Sequence, residues 1–307
     1  MTPRGLGLGM AALGRPGYLN LGHGDDLGGD RSPASLERRA HEVLDAAYER
    51  GIRYFDAARS YGRGEEFLGS WLRARAPEDV VVGSKWGYVY TADWQVDADP
   101  PEVKHHDVET FRRQLEETRE NLGSYLALYQ IHSATPESGV LENEAVLAEL
   151  VALRGSGVAI GVSVSGTSQP DTIARAVELG IFQAIQATWN LHERTAEGVL
   201  SAAHDAGMAV IVKEALANGR LSPRGDDARL RAVADRVGAS VDAVALAAAL
   251  AQPWADTVLT GAATVETLAS NIGAMTVDWT DELDRELAPL AEPSAEYWQT
   301  RSQLRWN

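Results

Sequence analysis

The chain of 307 residues contains no cysteine. That removes disulfides, thiolate nucleophiles and cysteine-based zinc or iron–sulfur sites together. Positive charge is also scarce, with 28 Lys and Arg against 44 Asp and Glu, a net charge of −16 at pH 7. Such a surface repels phosphate backbones and anionic lipid headgroups, so neither nucleic acid nor a membrane is an expected partner. A local cluster of Arg or Lys could still hold a small anion. Long apolar runs are absent too. The longest, 243–255, is Ala-rich and shorter than the roughly 20 residues of a membrane span, and reads as a buried helix. The start MTPRGLGLGMAALG lacks the basic and apolar regions of a secretory signal, and a cytoplasmic location is the expectation. No metal is expected: His105-His106-Asp107 lacks the i, i+4 spacing of paired helical ligands and reads as a helix start. Gly161-Val-Ser-Val-Ser lacks the final glycine of a nucleophile elbow, and no phosphate-binding G-x-x-x-x-G-K-[ST] loop occurs.

What is present is the balance of a globular protein, 45% apolar and 23% charged. Short β-like runs lie at 6–13, 52–55, 80–85, 125–131, 158–164, 182–187, 208–213 and 256–260. Each is followed by helical periodicity, as at 35–50, where Leu36, Ala40, Val43, Leu44 and Ala47 share a face and Ser35 reads as the cap. The runs are apolar and β-branched, as in a parallel sheet covered on both faces. Eight such units in one chain predict an α/β protein, a (β/α)8 TIM barrel forming a single domain over 1–307. An open doubly wound sheet is the second choice. The connection 86–106 shows no regular pattern, and connections of that length are usually functional or mobile. A tail, 291–307, follows the last helix. Gly7-Leu-Gly9-Met-Ala-Ala12 matches the dinucleotide pattern G-x-G-x-x-A, but Gly14, Pro16 and Gly17 follow at once, so no helix can open there and a tight turn is expected instead.

In a barrel, residues at the C-terminal ends of strands converge on one mouth. Those positions hold Asp56 and Tyr61 after the second run, Lys85 at the end of the third and His132 after the fourth. Singly, each reads as an ordinary strand-end polar residue. Together they form a proton-delivery set. A phenol is a weak donor at its reference pKa near 10. A nearby ammonium favours the phenolate, a carboxylate keeps a buried lysine charged, and a neutral imidazole can donate to the same substrate oxygen. Hydride addition to a carbonyl needs such a site.

With those residues in view, FDAARSYG resembles the F-D-T-A-x-x-Y-G pattern of the aldo-keto reductases, with SKWG and YQIHS following in order. The resemblance covers nearly the whole chain. It implies that Tyr61 is the general acid–base, Lys85 its partner, Asp56 the lysine's counter-charge and His132 the orienting donor. Ala57 stands where the family has Thr. His132 stands where relatives that reduce C=C bonds carry Glu, so carbonyl or alcohol chemistry is favoured. The resemblance further implies a nicotinamide dinucleotide bound without a Rossmann fold. Its contacts would include Ser163 and Gln186 at the carboxamide, Lys213 where an aromatic usually stacks, Leu216, Asn218, and Arg220 toward the pyrophosphate. Gly261, Thr267 and Asn271 would lie at the adenosine end. Family habit favours NADP(H) modestly. The stretch GAATVETLASN has no basic residue and one acid, Glu266, which leaves NAD(H) open. Trp86, Tyr88 and Trp94 in the long connection and Trp298 in the tail are the expected substrate-pocket aromatics, with Tyr90, Tyr297 and Trp306 nearby; the tail would fold over the mouth. The implied partner is a small carbonyl or alcohol compound. The implied reaction is aldehyde or ketone reduction, with oxidation of an aldose or other alcohol as one alternative and a cofactor-binding redox sensor with little turnover as another. Nothing in the pattern assigns an oligomeric state.

Overall fold

The computed structural model describes residues 3–307. The chain opens with β1 (Gly5–Gly9), a short α1 (His23–Leu27) and α2 (Pro33–Glu49). Next come β2 (Tyr54–Asp56), α3 (Gly64–Arg75) and β3 (Val81–Trp86). An antiparallel ribbon, β4 (Tyr88–Tyr90) and β5 (Glu102–Lys104), precedes α4 (Val108–Leu122). Strand–helix units then repeat: β6 (Leu126–Ala134) and α5 (Glu144–Gly155), β7 (Ala159–Val164) and α6 (Gln169–Leu179), β8 (Ala184–Thr188) and α7 (Glu197–Asp205). β9 (Ala209–Lys213) leads to α8 (Ala228–Val237) and α9 (Val241–Leu250). β10 (Thr257–Thr260), α10 (Val265–Ile272), α11 (Asp281–Leu287) and α12 (Ser294–Gln303) complete the chain.

Eight parallel strands close into a barrel in the order β1-β10-β9-β8-β7-β6-β3-β2. The predicted barrel is therefore the observed one, with three local corrections. The connection 86–106 is not patternless: Tyr88 pairs with Lys104 and Tyr90 with Glu102 in the ribbon. α2 begins at Pro33 and is capped by Ser32, whose side chain accepts from the Ser35 N–H; proline suits the first turn because that turn needs no N–H donor. β6 runs on to Ala134, so His132 lies within the strand and not beyond it. Register shifts between Ile131 and Ala134, and Ser133 takes φ 51°, a left-handed conformation uncommon outside glycine. A bulge of this kind re-aims a side chain next to a site.

No helix opens after β1, and the expected turn follows it, where the Leu13 and Gly14 N–H groups donate to the Met10 carbonyl; Gly7 itself lies earlier. It pairs within β1, where a Cβ would stand 2.9 Å from the Tyr54 ring and from Thr257 Cγ2. The bare backbone makes room for Tyr54 inside the barrel, where it packs with Leu128, Ala184, Ala209 and Ile211. Asp107 caps α4 by accepting from the Thr110 N–H, as a helix start should. α9 is almost wholly buried. Among the described residues no helix is long and apolar enough to cross a membrane.

Candidate active site

β2 delivers Asp56 into the barrel mouth, 1% exposed. Its Oδ2 accepts from Lys85 Nζ at the end of β3; its Oδ1 accepts from Tyr54 Oη at 3.1 Å and Gln186 Nε2 at 3.0 Å. Lys85 is fully buried and also donates to the Ala57 carbonyl at 2.9 Å. Its third direction points at Tyr61 Oη, 3.4 Å away. The His132 ring meets the Tyr61 ring edge-on, centroids 5.6 Å apart, and its Nδ1 lies 3.5 Å from Ser60 Oγ. Four residues spread over 77 positions of sequence thus share one cluster at the barrel mouth, Tyr61 and His132 facing the cavity above it.

The electrostatics differ from the simple expectation of a lysine-lowered phenol. Burial pushes the Tyr61 hydroxyl well above its ordinary range, and the Asp56 carboxylate adds to the rise; the Arg15 guanidinium opposes it. Tyr61 is therefore protonated in the free protein. Burial, then Lys85, Lys213 and Arg15, hold His132 well below the usual imidazole value, so the ring is neutral.

A cavity of about 460 Å³ starts at Asp56, Tyr61 and His132 and reaches the start of α10. Gln186, Lys213, Leu216, Asn218, Gly261, Thr267 and Asn271 all line it. The loop after β9 takes left-handed backbone at Glu214, Ala217 and Asn218. Such strain persists only where the surroundings impose it, and it collects at ligand sites. Asn218 donates to the Leu19 carbonyl, while its Oδ1 is buried without a partner. An unpaired polar atom on a long, partly apolar cavity wall suits a polar elongated ligand such as a dinucleotide.

Five expected residues stand elsewhere. Arg220 does not face the cavity: it forms a two-pronged ion pair with Glu292, which leaves no free fork for a pyrophosphate. Ser163 is fully buried behind the wall and accepts from the Ser133 N–H at 3.0 Å, so it supports the bulge beside His132. Trp86 is fully buried in β3 against Phe111. Trp94 packs on Phe67 and donates to the Arg31 carbonyl. Trp298 packs behind the mouth on Tyr297 and beneath Arg301. These tryptophans share one cause: a large apolar ring close to a core is drawn into it. Tyr88 touches the His132 ring edge-on at 5.0 Å from the ribbon.

Several lining residues escaped the pattern. Arg15 and Tyr18 come from the Gly-rich loop after β1, and Glu102 from β5. Arg301 of α12 reaches Glu214, donating at 2.9 and 3.1 Å. Burial raises the Glu214 carboxyl, but Arg301 and then Lys213 pull it down to about 2. Lys213, its neighbour in sequence, stands farther off, Nζ 4.0 Å from the carboxylate. Burial takes Lys213 down to about 8. In the tail, Tyr297 Oη accepts from Asn190 at 3.0 Å, and Trp306 lies over the Arg15 guanidinium at 4.4 Å.

A family model described as the aldo/keto reductase family matches residues 6–288. An aldo-keto reductase of Strobilurus tenacellus is 24% identical, covering 94% of this chain and 88% of its own. D-threo-aldose 1-dehydrogenase of a Pseudomonas species is 25% identical over 66% of this chain and 67% of its own. An aldo-keto reductase of Bacillus halodurans, solved in its holo form, shares the fold with a TM-score of 0.72 at 20% identity, covering 94% and 92% of the two chains. Barrel, mouth cluster and sequence likeness agree, and the chain belongs to the aldo/keto reductase family of oxidoreductases.

Proposed function

We propose that this protein interconverts a carbonyl compound and its alcohol, with Tyr61 as the proton donor and acceptor. The observation that carries the reading is the buried relay Asp56–Lys85–Tyr61 ending at the cavity, with His132 beside it. A bound nicotinamide supplies the hydride in reduction and takes it up in oxidation. Tyr61 Oη gives its proton to the substrate oxygen as negative charge develops there. Lys85, fixed by Asp56 and the Ala57 carbonyl, stabilises the phenolate left behind. Neutral His132 orients the same oxygen by hydrogen bonding. The buried floor and the tail keep water away from the transfer.

Gln186, Lys213, Leu216, Asn218, Gly261 and Thr267 would hold the cofactor along the cavity. Asn271 is engaged internally: in the amide orientation that satisfies both ends, it donates to Asp242 and accepts from Thr260. NAD(H) fits better than NADP(H). The end of the cavity at α10 carries Glu266, with Asp242 of α9 buried behind it and engaged by Ser270 and Asn271, and the segment 261–271 has no cation. Arg224, which also lines the cavity, is held by Asp26 at 2.6 and 2.9 Å. A 2′-phosphate needs positive charge, whereas a ribose hydroxyl can donate to a carboxylate.

Oxidation of an aldose is a second reading. Glu102, Ser133, Ser165 and Arg301 make the wall near Tyr61 polar, as a polyhydroxylated substrate requires, and one relative bears an aldose dehydrogenase name. The test is turnover of NADH, NADPH and their oxidised forms with aldehydes, ketones, alcohols and aldoses, in the parent and in Tyr61→Phe. Loss of turnover by about 100-fold or more in the variant, with cofactor affinity kept, supports the assignment. Equal activity in the variant sinks it. No turnover by the parent with any member of the panel favours a redox sensor.

A further inference from the structure

Two arginines flank Tyr61 in sequence, and neither serves it. Arg59 pairs with Glu65 and Glu117, and Arg63 with Glu66. The arginine that reaches the phenol is Arg15, from the loop after β1. It is 3% exposed. One terminal nitrogen donates to the Ser60 carbonyl at 3.0 Å and to Glu102 Oε2 at 2.9 Å. The guanidinium carbon lies 5.3 Å from the centre of the Tyr61 ring, 5.2 Å from that of Tyr18 and 4.4 Å from that of Trp306. Its Nε is buried without a partner.

We propose that Arg15 is a positioning residue for the reaction, gripping the turn that carries Tyr61 while holding a positive charge against the phenol ring. The inference rests on Tyr61 being the proton donor. The grip is close: a Cβ on Gly14 would lie 2.2 Å from the Tyr61 carbonyl, and the Arg63 N–H donates to the Gly14 carbonyl at 2.8 Å. The two loops therefore lock together, and Arg15 ties them again at Ser60, one residue before the phenol. The charge matters because of its company. Tyr61 faces Asp56 and Lys85 from the barrel floor, His132 from β6, Glu102 from β5, Glu214 after β9, and Tyr18 and Arg15 from the first loop. Three of these are carboxylates that disfavour the phenolate. Arg15 is a cation that favours it, and Trp306 with Tyr18 keeps that cation dry, where a charge acts most strongly. Glu102 works in the opposite sense through the same arginine.

Arg15 and Glu102 are thus opposed levers on one phenol, and that separates this role from a structural one. The test is the pH dependence of alcohol oxidation, which needs the phenolate, in the parent, Arg15→Gln, Arg15→Lys and Glu102→Gln, with thermal melts of each. Arg15→Gln moves the rising limb up by about one pH unit, about tenfold less activity at a fixed pH on that limb. Glu102→Gln moves it down and raises the rate at the same pH. Arg15→Lys restores the limb with a lower plateau, because an ammonium keeps the charge without the fork. Limbs that stay put, or that move together, overturn the proposal whatever the melts show. If Arg15→Gln does not fold, Glu102→Gln decides alone: a downward shift supports the proposal and an unmoved limb overturns it. Tyr61→Phe separates the two readings. Retained activity there overturns the Tyr61 assignment, whereas its loss alongside unmoved limbs overturns the Arg15 role alone.

Discussion

Replacing Asp56 by Asn preserves shape and removes one charge, so it isolates what the buried pair contributes. Four donors converge on the Asp56 carboxylate: Lys85 Nζ, Tyr54 Oη at 3.1 Å, Gln186 Nε2 at 3.0 Å and Gln130 Nε2 at 3.5 Å. An amide must turn its own NH2 toward some of them. Lys85, fully buried, would keep only the Ala57 carbonyl and Tyr61 Oη, with no counter-charge. Stranding a buried charge costs about 3–5 kcal/mol. At about 2.1 cal/mol/K per residue, the entropy of unfolding of the 307-residue chain is about 0.65 kcal/mol/K. The expected fall in Tm is therefore about 5–8 °C. Scanning calorimetry of the parent, Asp56→Asn and Asp56→Asn/Lys85→Met measures it. The double variant should regain most of the loss, because the stranded ammonium is gone, while activity stays low in both. A single variant melting within about 1 °C of the parent would refute the reasoning, as would a double variant no more stable than the single.

Two further outcomes follow from the cavity. Tryptophan fluorescence titration should find NADH bound about tenfold or more tightly than NADPH, and Glu266→Lys should narrow that gap; parent affinities that are equal or reversed would show the Glu266 carboxylate to be irrelevant. The Arg301–Glu214 pair should give the fold an acid-sensitive component. Glu214 is held at about 2, below the ordinary glutamate value of 4.5, so its stabilisation is fully present above about pH 4.5 and is lost as pH falls toward 2. It amounts to roughly 3 kcal/mol at neutral pH, and most of it should vanish in Arg301→Met. Melting curves of parent and variant should differ at pH 7 and converge at low pH; curves that stay parallel throughout would exclude the pair as the cause.

Periodicity alone carried the barrel, because each strand buries two faces and each helix one, and those patterns are local. Strand ends carried Asp56, Tyr61, Lys85 and His132, because a parallel barrel sends all such ends to one mouth. Finer placement failed where long-range partners decide. Arg220 looks free beside Gly219, yet Glu292 claims it from 72 positions away. Trp86 follows Lys85 in sequence, but alternation along β3 turns it outward beneath α4, against Phe111. Glu214 adjoins Lys213, and Arg301 takes it from α12. The ribbon of β4 and β5 is too short to show a period, and pairing across its ends makes it.

By itself, then, the sequence determined an acidic, cysteine-free α/β barrel with a phenol, an amine, a carboxylate and an imidazole at adjoining strand ends. Residue type and spacing suffice for that, since backbone period and the direction of the strands are local properties. Tertiary structure alone decided which charges are free and which are paired. It brought Arg15 rather than Arg59 or Arg63 against Tyr61, closed the tail over that arginine with Trp306, and left the carboxylate of Glu266 on the cavity at α10. The physical reason is that a charge's effect depends on distance and on exclusion of water, and both are set by residues remote in the chain.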